Sequence, residues 1–98
     1  MEIKDLHRIF LDSSGVSTDT RSLSSGNIFF ALKGDNFNAN EFVDIALKMG
    51  ALACIVDEKP KFENNNIVLV DCVLETLQEL AHFHRQYLGI PIIAITGS

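Results

Sequence analysis

The sequence contains little positive charge. Eight of its 98 residues are Lys or Arg, against thirteen Asp and Glu, which gives a formal net charge of -5 and a pI near 4.9. The basic residues are scattered along the chain and form no stripe. Because binding to a polyanion is driven by counterion release at clustered cations, we expect no nucleic-acid partner.

Long apolar runs and cysteine motifs are also absent. No run of 18 apolar residues occurs, and the N-terminal MEIKDLHRIF carries charges where a signal peptide has its apolar core. Cys54 and Cys72 lack the spacing of a CxxC or Cys/His zinc site, so we expect buried free thiols in a reducing compartment. The prediction is a cytoplasmic protein with no membrane insertion and no bound metal.

The remaining composition is typical of a small globular domain. Hydrophobic residues make up 47% of the chain and charged residues 21%. A chain of this length buries roughly two-thirds of its unfolded surface, which suffices for one core. We therefore expect a single compact domain.

Apolar residues at helical spacing predict three helices, over 3–10, 41–49 and 73–88. Gly50 and Gly89 follow the second and third helices, where a left-handed residue commonly ends a helix. Asn40 is the predicted N-cap of the second helix. His7, on the first helix, is expected to be exposed to solvent.

Short apolar runs predict the strands, over 27–34, 51–57, 67–71 and 92–95. The second and third runs are almost continuously apolar, which is typical of strands covered on both faces. The segments 11–27 and 58–66 are predicted as loop or edge structure. Alternation of strands and helices predicts an α/β fold with a small mixed or parallel sheet flanked by helices.

The polar segments leave alternatives open. Thr96-Gly97-Ser98 follows a predicted strand, as a phosphate-binding loop does, but an ordinary strand end has the same pattern. Asp19, Thr20 and Arg21 together with Lys33-Gly34 could surround an anionic ligand, or Asp19 and Arg21 could form a surface pair. Phe37 could stack on a base or pack under its own loop.

No arrangement for catalysis is visible in these residues. His82 and His84 are two positions apart on a predicted helix, so they point to different sides and cannot share a metal. No serine, cysteine or paired carboxylates stand in a pattern that indicates catalysis.

Taken in order, these motifs resemble the N-terminal domain of the Mur ligases, the ATP-dependent enzymes that build the peptidoglycan precursor. That family has a D-[ST]-R triplet, a glycine-containing strand and turn, a helix ending in Gly-Ala, and a TG[ST]xGKT phosphate loop. This sequence matches them with Asp19-Thr20-Arg21, Gly26 to Gly34, Gly50-Ala51 and Thr96-Gly97-Ser98. An ordered set of motifs is more specific than any one of them.

The resemblance implies two parts of a longer enzyme. Residues 1–95 would be the UDP-sugar substrate-binding domain, and 96–98 would begin the phosphate loop of a central ATPase domain. The residues are most similar to members that add D-alanyl-D-alanine to UDP-N-acetylmuramoyl (UDP-MurNAc) tripeptide. Members that add the third peptide residue, and a stand-alone non-enzymatic α/β binding module, are the alternatives.

The resemblance also implies site residues. Those expected around the uridine and pyrophosphate are Asp19, Thr20, Arg21, Lys33, Gly34, Asp35, Asn36, Phe37 and Asn38. ATP and Mg²⁺ would act in the full-length enzyme, which is expected to be a monomer, whereas these 98 residues would bind no cofactor and be catalytically silent. The sequence departs from the family at Asn38-Ala39-Asn40, where members usually carry Asp-Gly-His.

Overall fold

The fold was analysed in a computed structural model that describes residues 2–34 and 37–89. The strand predicted over 92–95 and the segment 96–98 lie outside the described residues, as do Asp35 and Asn36. Six strands are present in the described part of the chain: β1 (Gly15–Ser17), β2 (Asn27–Phe30), β3 (Lys33–Gly34), β4 (Phe37–Asn38), β5 (Ala53–Val56) and β6 (Ile67–Leu69).

Four of these strands form a parallel sheet in the order β1-β2-β5-β6. Val16 lies beside Ile28 and Phe29 lies beside Cys54 in its register. The other two strands form a separate antiparallel hairpin in which Lys33 pairs with Asn38. The α/β prediction is confirmed, and all four strands of the parallel sheet end at one side, here called the carboxyl edge.

Within the described residues, three α-helices cover the sheet: α1 (Ile3–Asp12), α2 (Val43–Lys48) and α3 (Val73–Tyr87). The predicted helices are confirmed, although α2 is shorter than expected because residues Ala39–Phe42 form a 3-10 turn before it. The left-handed residues Gly50 and Gly89 follow α2 and α3, with φ of +96° and +62°.

The predicted N-cap at Asn40 is wrong. Asn38 caps the 3-10 turn instead, because its side chain accepts a hydrogen bond from the backbone N–H of Asn40 at 3.0 Å. The Asn40 side chain is used elsewhere, in hydrogen bonds to Asp57.

Alternate residues of β2 and β5 supply two separate cores. On one side, Ile28, Phe30 and Ile55 pack with Leu6 of α1 and with α3. On the other side, the buried cluster contains Phe29, Cys54 and Val56 together with Val43 and Ala46 of α2. The sheet is therefore the middle layer of three. Both β2 and β5 are covered on both faces, which confirms the prediction made for the run that contains β5.

The two thiols differ in burial. Cys54 is free and buried, as predicted, and burial raises the pKa of its thiol to about 12. Cys72 is also free but only partly buried, so the prediction of burial is wrong for it.

The prediction that the third apolar run is covered on both faces holds only in part. Ile67 packs against one core and Val68 against the other, but each residue of β6 keeps some exposure. In the described part of the chain β6 pairs only with β5, and Leu69 is 55% exposed. An apolar run indicates a strand but does not tell whether that strand lies inside the sheet or at its edge.

His7 is buried, not exposed as predicted. It is 3% exposed, and its Nε2 atom lies 3.0 Å from Nδ1 of His84 on α3. The ring also lies against Phe83 and Tyr87, with centroid distances of 4.9 and 4.7 Å. Burial, together with the proximity of His84, lowers the pKa of His7. The contact between the two rings thus joins α1 to α3, and a hydrogen bond there needs one ring nitrogen to donate and the other to accept.

We predict that the free energy of unfolding falls as the pH decreases below the ordinary histidine pKa of about 6.5. The unfolded chain then takes up a proton that folded His7 resists, with a slope of at most about 1.4 kcal/mol per pH unit for one proton. Urea unfolding of the wild type, His7→Gln and the exposed-histidine control His82→Gln between pH 5 and 8 measures this. His7→Gln should flatten the dependence and His82→Gln should retain it; the reverse would contradict the assignment.

We predict that Gly50→Ala lowers the free energy of unfolding by about 1–3 kcal/mol. The carbonyl of Gly50 accepts a hydrogen bond from the N–H of Gly26 at 2.8 Å, and a Cβ atom at Gly50 would lie 2.8 Å from Oγ of Ser25. The matched control is Gly89→Ala, which has positive φ but no atom within 4 Å of its Cβ. Thermal unfolding should give the larger loss for Gly50→Ala; equal losses would exclude a contribution from Ser25.

Candidate functional site at the carboxyl edge

The polar segments singled out in the sequence follow strands at the carboxyl edge. Asp19, Thr20 and Arg21 come just after β1, Lys33 comes after β2, and Asp57 and Glu58 come directly after β5. Ligands of open parallel α/β sheets bind outside the carboxyl ends of the strands. This edge is therefore the candidate ligand site.

Asp19 forms the first corner of the site. Its carboxylate accepts hydrogen bonds from the backbone N–H of Arg21 at 2.9 Å and from Nη2 of the same residue at 2.8 Å. The hydrogen bond from the Arg21 side chain lowers the pKa of Asp19. The surface pair considered from the sequence is thus present in the structure.

The pair still leaves Arg21 open to a ligand, since its side chain is 89% exposed. Thr20 is the first residue of the 3-10 turn Thr20–Ser22 and is partly exposed. Ser17 donates its hydroxyl hydrogen to the carbonyl oxygen of Asp19 at 2.8 Å, which fixes the corner to the end of β1.

Lys33 forms the second corner. Its Nζ atom lies 2.7 Å from Oε2 of Glu58 and 3.7 Å from Oδ1 of Asp57. The hydrogen bond with Glu58 raises the pKa of Lys33, and the same bond, aided by Asn38, lowers the pKa of Glu58. Asp57 and Glu58 were not predicted as site residues, although their position directly after a buried strand was a usable signal.

Asp57 connects three elements. Its Oδ1 atom accepts a hydrogen bond from Nδ2 of Asn40 at 3.1 Å, and its backbone N–H donates to Oδ1 of Asn40 at 3.3 Å. Its Oδ2 atom accepts from the N–H of Val73, the first residue of α3, at 3.2 Å. Cys72, the N-cap residue, makes no side-chain cap hydrogen bond, so Asp57 supplies that cap from β5.

Asn38 joins the hairpin to the same network. Its Nδ2 atom donates to both carboxylate oxygens of Glu58 at 3.0 Å, and its Oδ1 atom accepts from Nδ2 of Asn40 at 2.9 Å. The two asparagines that replace the usual family residues therefore hold β4 against the end of β5 with amide hydrogen bonds.

The remaining predicted site residues are described only in part. The backbones of Gly34 and Phe37 pair in the hairpin, whereas Asp35, Asn36 and Thr96 to Ser98 lie outside the described residues. Stacking by Phe37 stays a prediction. Within residues 2–34 and 37–89, no three His, Cys, Asp or Glu are grouped to hold a metal ion. Nor does any helix of that part have the length and apolarity to cross a membrane.

Comparison with known proteins finds several relatives of the chain. No protein-family model matches the chain. It is 41% identical over 86 residues to the UDP-N-acetylmuramoyl-tripeptide--D-alanyl-D-alanine ligase of Bacillus subtilis, covering 86% of this chain and 19% of that protein. The structure of a MurF ligase from Thermotoga maritima in complex with ADP gives a TM-score of 0.69 at 32% identity, covering 82% of this chain and 18% of that one. The chain is homologous to the Mur ligases.

A second Mur ligase type is also similar. The UDP-N-acetylmuramoyl-L-alanyl-D-glutamate--2,6-diaminopimelate ligase of Rickettsia typhi is 31% identical over 85 residues, with 87% of this chain and 17% of that protein covered. The resemblance to the Mur ligases found from the ordered motifs is confirmed. The chain spans about a fifth of the length of the curated relatives it matches.

We predict that Asp57→Ala lowers the free energy of unfolding of this Mur ligase homologue by about 2–4 kcal/mol, because Asn40 and the first N–H of α3 both lose a charged acceptor. Its neighbour Glu58 is the control, since Glu58→Ala removes only a surface carboxylate that is 44% exposed. Urea unfolding monitored by circular dichroism should show the loss for Asp57→Ala alone. Equal losses would contradict a special role for Asp57.

Proposed function

We propose that this chain is the domain that binds the UDP end of UDP-MurNAc tripeptide in an ATP-dependent ligase adding D-alanyl-D-alanine. The observation that carries the proposal is the 41% identity, over most of the chain, to a ligase named for that reaction. The grouping of Asp19, Arg21, Lys33 and Asn38 at the carboxyl edge supports it. Residues 1–95 would form this domain in a longer, monomeric, cytoplasmic enzyme.

The alternative within the family is the ligase that adds the third peptide residue. The 31% identity to a 2,6-diaminopimelate ligase gives it support, but less than the dipeptide-adding type receives. A stand-alone binding module without enzymatic relatives gains no support, because the matched proteins are ligases.

In the proposed site, the residues at the carboxyl edge have separate roles. The exposed fork of Arg21 is suited to pair with a pyrophosphate oxygen, and the hydroxyl of Thr20 can donate to the same group. Lys33 supplies a second cation. The hairpin from Gly34 to Asn38, with Asp35, Asn36 and Phe37, would lie against the uridine.

The domain's contribution to the reaction would be positioning. In the proposed reaction ATP phosphorylates the terminal carboxylate of the tripeptide, and the amine of D-alanyl-D-alanine then attacks the acyl phosphate and releases phosphate. Thr96, Gly97 and Ser98 would begin the loop that holds ATP, and bound Mg²⁺ would neutralise phosphate charge there. Holding the remote nucleotide keeps the carboxylate near ATP without any catalytic group at the carboxyl edge.

We predict that the full-length protein releases phosphate from ATP only when UDP-MurNAc tripeptide and D-alanyl-D-alanine are both supplied. A coupled phosphate assay with each component omitted in turn measures this. Activity with UDP-MurNAc dipeptide and a diamino acid, but not with the tripeptide, would favour the alternative ligase. Absence of both activities would contradict the proposal.

We predict that Arg21→Ala weakens binding of UDP-MurNAc tripeptide to the full-length protein about tenfold or more, because a charge-assisted hydrogen bond is lost. The affinity of Arg21→Lys should fall between those of the wild type and Arg21→Ala, since lysine keeps the positive charge but lacks the two-pronged guanidinium group. The control is Arg8→Ala, an exposed arginine on α1. Calorimetry giving the same affinity for the Arg21 and Arg8 variants would remove Arg21 from the site.

A further inference from the structure

The carboxyl edge carries a charge balance that is unexpected for a site that binds a diphosphate. In the ion pairs described there, Arg21 contacts Asp19, and Lys33 contacts Asp57 and Glu58. This cluster consists of two cations and three carboxylates. With each group in its ordinary ionised form, the cluster has one net negative charge. A diphosphate approaching these groups would meet no net long-range attraction, so its binding would depend on short-range contacts with individual donors.

Of these carboxylates, Asp57 is fixed in place. It is 15% exposed and is held by Asn40 and by the N–H of Val73. Moving it would uncap α3 and break the tie to the hairpin. Asp57 therefore remains where it is whether or not a ligand is present.

Glu58 has no comparable anchor. Its side chain is 44% exposed and that of Lys33 is 46% exposed, so both can rotate into water at little cost. Its carboxylate accepts from Nζ of Lys33 at 2.7 Å and from Nδ2 of Asn38 at 3.0 Å. An ammonium and an amide N–H are also the donors that a phosphate oxygen would use.

We propose that Glu58 is an internal competitor of the ligand: it occupies Lys33 and Asn38 in the free protein and is displaced from them by the diphosphate of the bound nucleotide. This inference rests on the proposed function. Glu58 thereby sets the affinity for the phosphate part of the ligand and leaves the affinity for the nucleoside part unchanged. It takes no part in the chemistry and acts through Lys33 and Asn38.

The test compares UDP with uridine, which has no phosphate, as ligands of the full-length protein. Glu58→Gln keeps an oxygen that can accept from Asn38 but removes the negative charge. Calorimetry should show UDP binding about twofold to fivefold tighter in Glu58→Gln, the size of one exposed charge interaction, and uridine binding unchanged. Glu63→Gln, in the exposed loop before β6, makes the same change in net charge and should leave both affinities unchanged.

The double variant Lys33→Met/Glu58→Gln separates the contribution of Lys33 from that of Asn38. The gain in UDP affinity from Glu58→Gln should be smaller in the Lys33→Met background than in the wild type, because Glu58 then competes only for Asn38. Unchanged or weaker UDP binding in Glu58→Gln, or an equal gain for uridine, would overturn the inference and leave the proposed function standing. If the wild type binds neither UDP nor UDP-MurNAc tripeptide, the proposed function and this inference both fail.

Discussion

Strands β2 and β5 present apolar side chains to both faces of the sheet, and neither face can be left in water. Phe29 and Phe30 are adjacent in the chain, point to opposite sides and are 1% and 0% exposed. Burying both side chains requires helices above and below the sheet. In a parallel sheet, each connecting segment also brings the chain back to the end of the sheet where the previous strand began. The carboxyl ends of the strands consequently share one edge. The position of the candidate site therefore follows from the burial of both faces of β2 and β5. It does not depend on contacts within the site itself.

The charged side chains at that edge form individual ion pairs and do not make a surface of one sign. Asp19 holds Arg21, while Asp57 and Glu58 hold Lys33, so each cation already has a carboxylate partner before any ligand is present. This agrees with a chain whose formal net charge is -5. In the proposed function the protein would recognise an anionic nucleotide by the placement of a few donors, and the acidic background would disfavour polyanions that merely carry more charge.

Sequence patterns correctly predicted the elements of the fold that depend on local periodicity. The strands β2 and β5, the long helix α3 and the left-handed residues Gly50 and Gly89 were all predicted, because each has its cause within a few residues. The predicted exposure of His7 was wrong because the residues that bury it belong to α3, which is distant in sequence. The exposure of Leu69 on β6 was not predicted, because an apolar run does not specify a position in the sheet. The predicted N-cap at Asn40 was wrong because the Asn40 side chain forms hydrogen bonds with Asp57 instead.

The candidate site was predicted only in outline. The motif order pointed to Asp19 through Arg21 and to Lys33, and the structure puts these segments after strands that end at one edge. Asp57 and Glu58 were overlooked because their partners, Lys33, Asn38 and Asn40, are distant in sequence, and no local pattern marks a carboxylate that will face them. Pairing between distant segments is known only once the sheet order is known.

The central claim is that the carboxyl edge binds the nucleotide end of the substrate. Its most direct test is a titration of the isotope-labelled 98-residue chain with UDP-MurNAc tripeptide, followed by amide chemical shifts in nuclear magnetic resonance spectra. The account predicts that the perturbed amides cluster in three segments, 17–22, 33–38 and 57–58. Perturbations confined to α1 and α3 around His7, with these segments unchanged, would contradict it.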